Sequence, residues 1–194
     1  EKDDDGNNVV KEQYDKYALL CEKRASGYPL QYILGSWEFF GIDFKVGEGV
    51  LIPRADTETL VETVLDLDFK RENLSILDLC SGSGAIAVAL ALNIPQCSVD
   101  AVEISSEAFS YLTENCKQAK NVNAINNDIF KFIPTKRYDI VTANPPYVSF
   151  DEMTVLQKEV RYEPSLALQA EDNGLYFYKN IIKNTTHSVK EQEL

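Results

Sequence analysis

The chain has 194 residues, 44% of them hydrophobic, and its 31 acidic against 19 basic side chains give a formal net charge of −12. That length can bury a sizeable core, whereas so acidic a balance is repelled by a phosphate backbone and argues against duplex binding. No apolar run reaches 18 residues and no basic-then-apolar segment is present, so neither a membrane span nor a signal peptide is expected. Cys21, Cys80, Cys97 and Cys116 form no C-x-x-C pair, which predicts reduced thiols in a cytoplasmic protein and no metal site.

Along the chain, Gln13 to Arg24 sets Tyr14, Tyr17, Ala18 and Cys21 at 3-and-4 spacing, which predicts a one-sided helix. Residues 28–54 alternate aromatic and apolar positions between Gly35, Gly41, Gly47 and Gly49 and read as a hairpin-like linker. Trp37, Phe39 and Phe40 are assigned to the core of that linker rather than to a substrate. A helix from Thr57, with Leu60, Val61, Val64 and Leu65 on one side, leads into Ser75-Ile76-Leu77-Asp78-Leu79, a short buried strand.

That strand runs into Cys80-Ser81-Gly82-Ser83-Gly84 and then the strong helix former Ala85 to Leu92, stopped by Asn93 and Pro95. Glycines there allow a tight turn and the approach of a ligand. The next strand, Ser98 to Glu103, ends in a carboxylate 19 residues beyond Gly84, where a doubly wound fold places its ribose-binding acid. A helix follows Ser105-Ser106, with Ala108, Tyr111, Leu112 and Ala119 toward the sheet. A strand near Ala124-Ile125 then ends at Asn127-Asp128, read either as a contact for an adenine amino group or as a simple polar turn.

The most informative stretch is Asn144-Pro145-Pro146-Tyr147, at the end of the strand-like run Tyr138 to Ala143. An amide or aromatic NH2 is a poor nucleophile because its lone pair is delocalised. Two acceptors, the Asn144 side-chain oxygen and the Pro145 carbonyl, would hold the group and favour its rehybridisation in the transition state. The prolines stiffen the loop, and Tyr147 offers a ring face for stacking. Beyond it, residues 151–161 look helical, Asp172-Asn173-Gly174 starts a last helix from Leu175 to about Asn184, and Val189 to Leu194 is too polar for a buried central strand. His187 lies in a polar tail and reads as a surface residue. Gly82 to Ala87 also fits the G-x-G-x-x-A dinucleotide fingerprint, so a nicotinamide enzyme competes. The clamp at Asn144 favours a methyl donor instead.

Together, Tyr28-Pro29-Leu30-Gln31-Tyr32-Ile33-Leu34-Gly35, Trp37-Glu38-Phe39, Leu51-Ile52-Pro53-Arg54, the glycine loop and Asn144 to Tyr147 closely resemble the HemK/PrmC family of release-factor glutamine methyltransferases. The resemblance implies an α/β, Rossmann-like class I methyltransferase that uses S-adenosylmethionine to methylate the side-chain amide of the glutamine in a release factor's Gly-Gly-Gln loop. By position, Cys80, Ser81, Gly82, Ser83, Gly84, Glu103, Asp128, Ile129 and Asn144 would line the cofactor site, and Asn144, Pro145, Pro146 and Tyr147 would hold the glutamine. Residues 1–27 would belong to a helical recognition domain, 28–54 to the linker and 55–194 to a catalytic domain lacking its last strands, in a monomer that binds no nucleic acid directly. Three positions depart from the family pattern: Cys80 replaces a glycine, tolerable if its φ is negative, Ala55-Asp56 replaces Pro-Glu, and Glu103 replaces an aspartate. An N6-adenine methyltransferase and a non-catalytic cofactor-binding subunit are the alternatives.

Overall fold

A computed structural model describes residues 10–68 and 73–190. Helix α1 (Lys11–Ala25) forms where the spacing predicts it, yet none of its residues is buried, and Tyr14 and Tyr17 stay exposed. Residues 28–54 are less uniformly extended than their alternation suggests. Pro29 starts a short helix, α2 (Leu30–Leu34), which Gly35 ends in the left-handed conformation that a residue without Cβ adopts freely. A hairpin of β1 (Ser36–Phe39) and β2 (Ile42–Lys45) follows, turning through Phe40 and Gly41 at φ 55° and 71°. Positive φ at both turn residues matches the twist of a two-residue hairpin. Glu58, at the start of α3 (Glu58–Leu65), holds that turn by accepting from the Phe40 N–H at 2.9 Å.

Four parallel strands, β3 (Ser75–Leu79), β4 (Ser98–Glu103), β5 (Val122–Asn126) and β6 (Ile140–Ala143), lie in the order β5-β4-β3-β6. Helices α4 (Ala85–Asn93) and α5 (Ser106–Asn115) make the crossovers from β3 to β4 and from β4 to β5. Alternation along the strands builds two cores. Ile76, Val99 and Ala101 pack with α4, Val61 and Val64 on one face, while Leu77, Leu79, Val102 and Tyr138 pack on the other. Seven residues of α4, Ala85 to Ala91, are buried all round, as a helix between a sheet and other elements requires.

The chain beyond β6 is more broken than a single helix over 151–161. It forms α6 (Phe150–Val155), a 3-10 turn at Val160–Tyr162, α7 (Ser165–Leu168), a turn at Asp172–Gly174 and α8 (Tyr176–Thr185). Val189, expected to be unsuited to a buried central strand, is half-buried and makes only an isolated parallel bridge with Tyr138, outside the four strands. Lys190 can be accommodated there because its ammonium meets the Asp139 carboxylate at 2.7 Å. No helix among the described residues is long and apolar enough to cross a membrane.

Asp78 is fully buried in the middle of this sheet. One of its oxygens accepts from the Thr142 hydroxyl on β6 at 2.7 Å and the other has no hydrogen-bond partner. Burial pushes the carboxyl up to about 6, against the opposing pull of Thr142. A folded-state value above the ordinary 3.8 means that this group's contribution to stability is full in acid and is lost as pH rises through about 6. Relative to Asp78→Asn, which does not titrate, the protein should therefore lose about 2 kcal/mol of unfolding free energy between pH 4 and pH 7.5. Chemical denaturation of both proteins across that range measures it, and parallel pH profiles would refute it.

Candidate active site

Because β3 pairs with β4 and β6 in parallel, Leu79 stands beside both Val102 and Ala143. The next residue of each strand, Cys80, Glu103 and Asn144, is thereby delivered to one end of the sheet. They wall a cavity of about 320 Å3, also lined by Ser81, Gly82, Ser83, Asp128, Ile129, Phe130, Thr57 and Pro146. Pro145 is buried and Tyr147 is 55% exposed, and neither residue lines the cavity, although both were expected at the site. Gly84 lies outside it too: a Cβ there would meet Leu112 at 2.7 Å, so this glycine serves the packing of α4 on α5.

Gly82, at φ 55°, is different. A Cβ built on it meets nothing within 4 Å and would stand in open space beside the cavity, so its absence leaves room for a ligand against the loop. Cys80 corrects the expectation of a negative φ, because it sits at 58° in the left-handed region. Burial, reinforced by the charges of Glu103, Asp78 and Asp128, pushes its thiol far up, so the sulfur is a neutral wall rather than a nucleophile.

Glu103 is 7% exposed, and its two oxygens accept from the Gly82 and Ser105 N–H groups, each at 2.8 Å. It therefore clasps the glycine loop to the start of α5, a role the sequence pattern does not announce. A carboxylate oxygen has a second lone pair, so a ribose diol can still donate to it. Asp128 folds its carboxylate back, accepting from the Phe130 N–H at 2.9 Å and pairing with Lys131 at 3.4 Å. Its part in the wall is thus to shape the turn that presents Ile129 and Phe130.

Asn144 points its amide nitrogen toward the Thr57 hydroxyl at 3.5 Å, leaving its oxygen as the acceptor available to a ligand. Thr57, Arg54 and Phe177 reach the cavity from distant parts of the chain and escaped the sequence reading. Phe177, on α8, stacks on Phe130 with centroids 5.5 Å apart. Arg54 is locked by the Glu163 carboxylate, whose second oxygen accepts from the Ile52 N–H at 3.0 Å. Phe39, assigned to the linker core, is 1% exposed and also touches the cavity. His187 is exposed, as expected. Among the described residues no group of His, Cys, Asp or Glu is arranged to hold a metal ion.

A parallel sheet with a glycine turn after its central strand, an acid closing the neighbouring strand and a polar clamp on the third defines a Rossmann-like methyltransferase domain. The catalytic domain of hMettl16, solved with the MAT2A 3'UTR hairpin 6, shares the fold at a TM-score of 0.58 and 18% identity, over 92% of this chain and 77% of that one. The family model of the methyltransferase small domain matches residues 55–163 and that of the PrmC N-terminal domain matches residues 5–35. The chain belongs to this methyltransferase family, in the group that carries a PrmC N-terminal domain. Two similar curated proteins are named release factor glutamine methyltransferase. That of Fusobacterium nucleatum is 43% identical over 98% of this chain and 53% of its own length, and that of Thermodesulfovibrio yellowstonii is 44% identical over 91% and 65%. The chain thus spans between about half and two thirds of the length of these relatives.

Two substitutions test the site. Glu103→Ala removes charge-assisted acceptors and should weaken S-adenosylhomocysteine binding by about 1.5 to 3 kcal/mol, with a lowered melting temperature because two backbone N–H groups lose their partner. Calorimetric titration with unchanged affinity would remove Glu103 from the cofactor wall. Cys80→Gly should raise the unfolding free energy by about 1 kcal/mol, since glycine adopts the left-handed conformation without strain. A destabilised Cys80→Gly variant would show that the thiol contributes more packing than its backbone costs.

Proposed function

We propose that this chain is the catalytic part of an S-adenosylmethionine-dependent methyltransferase acting on the side-chain amide of a release-factor glutamine. Residues 1–27 are read as part of an N-terminal recognition domain, 28–54 as the linker and 55–194 as the catalytic domain. The observation that carries the reading is that Asn144, with its amide nitrogen directed at the Thr57 hydroxyl, lines the same cavity as the glycine loop and Glu103. The relatives' names support the choice of acceptor.

When bound, the cofactor supplies an electrophilic methyl group on a sulfonium. The chain's part is to position. Cys80 to Ser83 and Glu103 would hold the ribose and the methionine portion, and Phe130, Phe177 and Ile129, which line the same cavity, would receive the base. Asn144 Oδ1 and the Pro145 carbonyl accept from the two N–H bonds of the glutamine amide and direct its nitrogen at the methyl carbon. With the cofactor in place, the N–C bond would form as the C–S bond breaks, and the surplus proton on nitrogen would leave to water. Charge on the sulfonium disappears in this step, so an apolar cavity does not oppose it, and orientation supplies most of the rate gain.

A glutamine flanked by glycines reaches such a site because glycine carries no side chain and permits unusual φ. An adenine would have to be flipped from its helix at a cost of a few kcal/mol, offset by basic phosphate contacts. Residues 138–182 offer only Lys158, Arg161 and Lys179 against seven acidic side chains. Arg161 is engaged with the Leu156 and Thr154 carbonyls, Lys179 with Asp172, and the Lys158 stem lies over Gly27.

Incubation with labelled S-adenosylmethionine should transfer label to a release factor, but not to its Gln→Ala variant in the Gly-Gly-Gln loop and not to DNA at physiological salt. Asn144→Ala should lower turnover by roughly 100-fold while leaving cofactor affinity within a few fold. Label on DNA alongside an inert release factor would reverse the choice of acceptor, and normal turnover by folded Asn144→Ala would end the clamp mechanism.

A further inference from the structure

Downstream of the clamp, three successive residues stand in the left-handed region: Asp172 at φ 56°, Asn173 at 53° and Gly174 at 83°. Such a run is strained for the first two, and it is held by Gly174 N–H to Glu171 carbonyl and Leu175 N–H to Asp172 carbonyl bonds, both 3.1 Å, with the Lys179 ammonium paired to Asp172. A fold that needed only to start α8 would not require this geometry.

Gly174 is buried, and a Cβ on it would lie 2.1 Å from the Tyr147 carbonyl oxygen and 3.1 Å from its carbon. The same stretch is gripped from its other side: the Tyr147 and Val148 N–H groups both donate to the Leu168 carbonyl, at 3.1 and 2.8 Å, and the Ala170 N–H donates to the Val148 carbonyl at 2.9 Å. Tyr147 is therefore fixed through its backbone, while its ring stays exposed. Pro145 and Pro146, with φ fixed by their rings, leave few torsions between Tyr147 and Asn144 through which a displacement at Tyr147 can be absorbed before it reaches the Pro145 carbonyl.

We propose that Gly174 is a positioning residue for the amide clamp, its missing side chain letting the turn press directly on the Tyr147 carbonyl and so fix the Pro145 acceptor. This rests on the amide-clamp reading above. Since α8 begins just after the turn and carries Phe177 into the cofactor cavity, one short segment sets the clamp relative to the cofactor.

Gly174→Ala should lower kcat by about 10- to 100-fold, the scale of an ångström-sized misplacement, with S-adenosylhomocysteine affinity and the KM for the release factor within about 3-fold. Asn173→Gly, which relieves strain without adding a Cβ toward Tyr147, should keep kcat within about 2-fold. If Gly174→Ala does not fold alone, the same measurements are made in the Asn173→Gly background. An unchanged kcat, a fall in kcat matched by an equal fall in cofactor affinity, or failure of both variants to fold would overturn the proposal, the last because the contact would then serve folding. Rates are read on whichever acceptor the unsubstituted protein methylates, release factor or DNA, so an error about the acceptor stays distinct from an error about Gly174. A protein that methylates neither would sink both.

Discussion

Parallel pairing of β3 with β4 on one side and β6 on the other fixes where each strand stops. Side chains beyond the last ladder residues can only project from the same sheet end, so the glycine loop, the acid and the clamp meet without any of them being near another in sequence. The burial of Ile76, Leu77, Val99, Val102 and Tyr138 on the two faces holds that register, because slipping one residue would turn each apolar side chain to the wrong face. Asp78 is a cost carried inside this arrangement, buried with one oxygen unpaired beneath the loop that it precedes.

A second tier of contacts converts a sheet end into a cavity. Glu103 ties the glycine loop to α5, Glu163 ties Arg54 and Ile52 to the segment beyond the clamp, and Glu58 ties the hairpin turn to α3. Each is a carboxylate accepting from backbone or guanidinium N–H groups, among the stronger hydrogen bonds available to a protein. Much of the acidity at these positions is therefore spent inside the molecule. Helix α1 and the linker are joined to the segment after α6 at further points, through the Arg24–Glu159 pair at 3.1 Å and the edge-on contact of Tyr28 with Tyr162 at 5.3 Å.

The strand, glycine turn and helix over residues 75–92 were legible because each rests on local signals: a short apolar run, two glycines and an alanine-rich stretch. The position of Asn144 to Tyr147 was legible for the same reason, as a stiff tetrapeptide after a strand. What escaped depends on partners far apart in the chain. Arg54 and Glu163 are 109 residues apart, and neither Thr57 nor Phe177 carries a local mark of reaching the cavity. The condition set for Cys80, a negative φ, is not met, because φ at that position is set by the loop's path and not by the residue's preference. The spacing of Tyr14 and Tyr17 forecast a helix correctly, but a periodic apolar stripe says nothing of what covers it.

The account's central claim is that one end of the sheet gathers the cofactor and the acceptor amide into a single cavity. Photochemical cross-linking of radiolabelled S-adenosylmethionine to the chain, followed by peptide mapping, tests this most directly. Label should appear within residues 80–84, 103–105, 128–130 and 144–147 and should be competed away by S-adenosylhomocysteine but not by NAD. Label confined to α1 or to β2, or competed away by NAD, would contradict it.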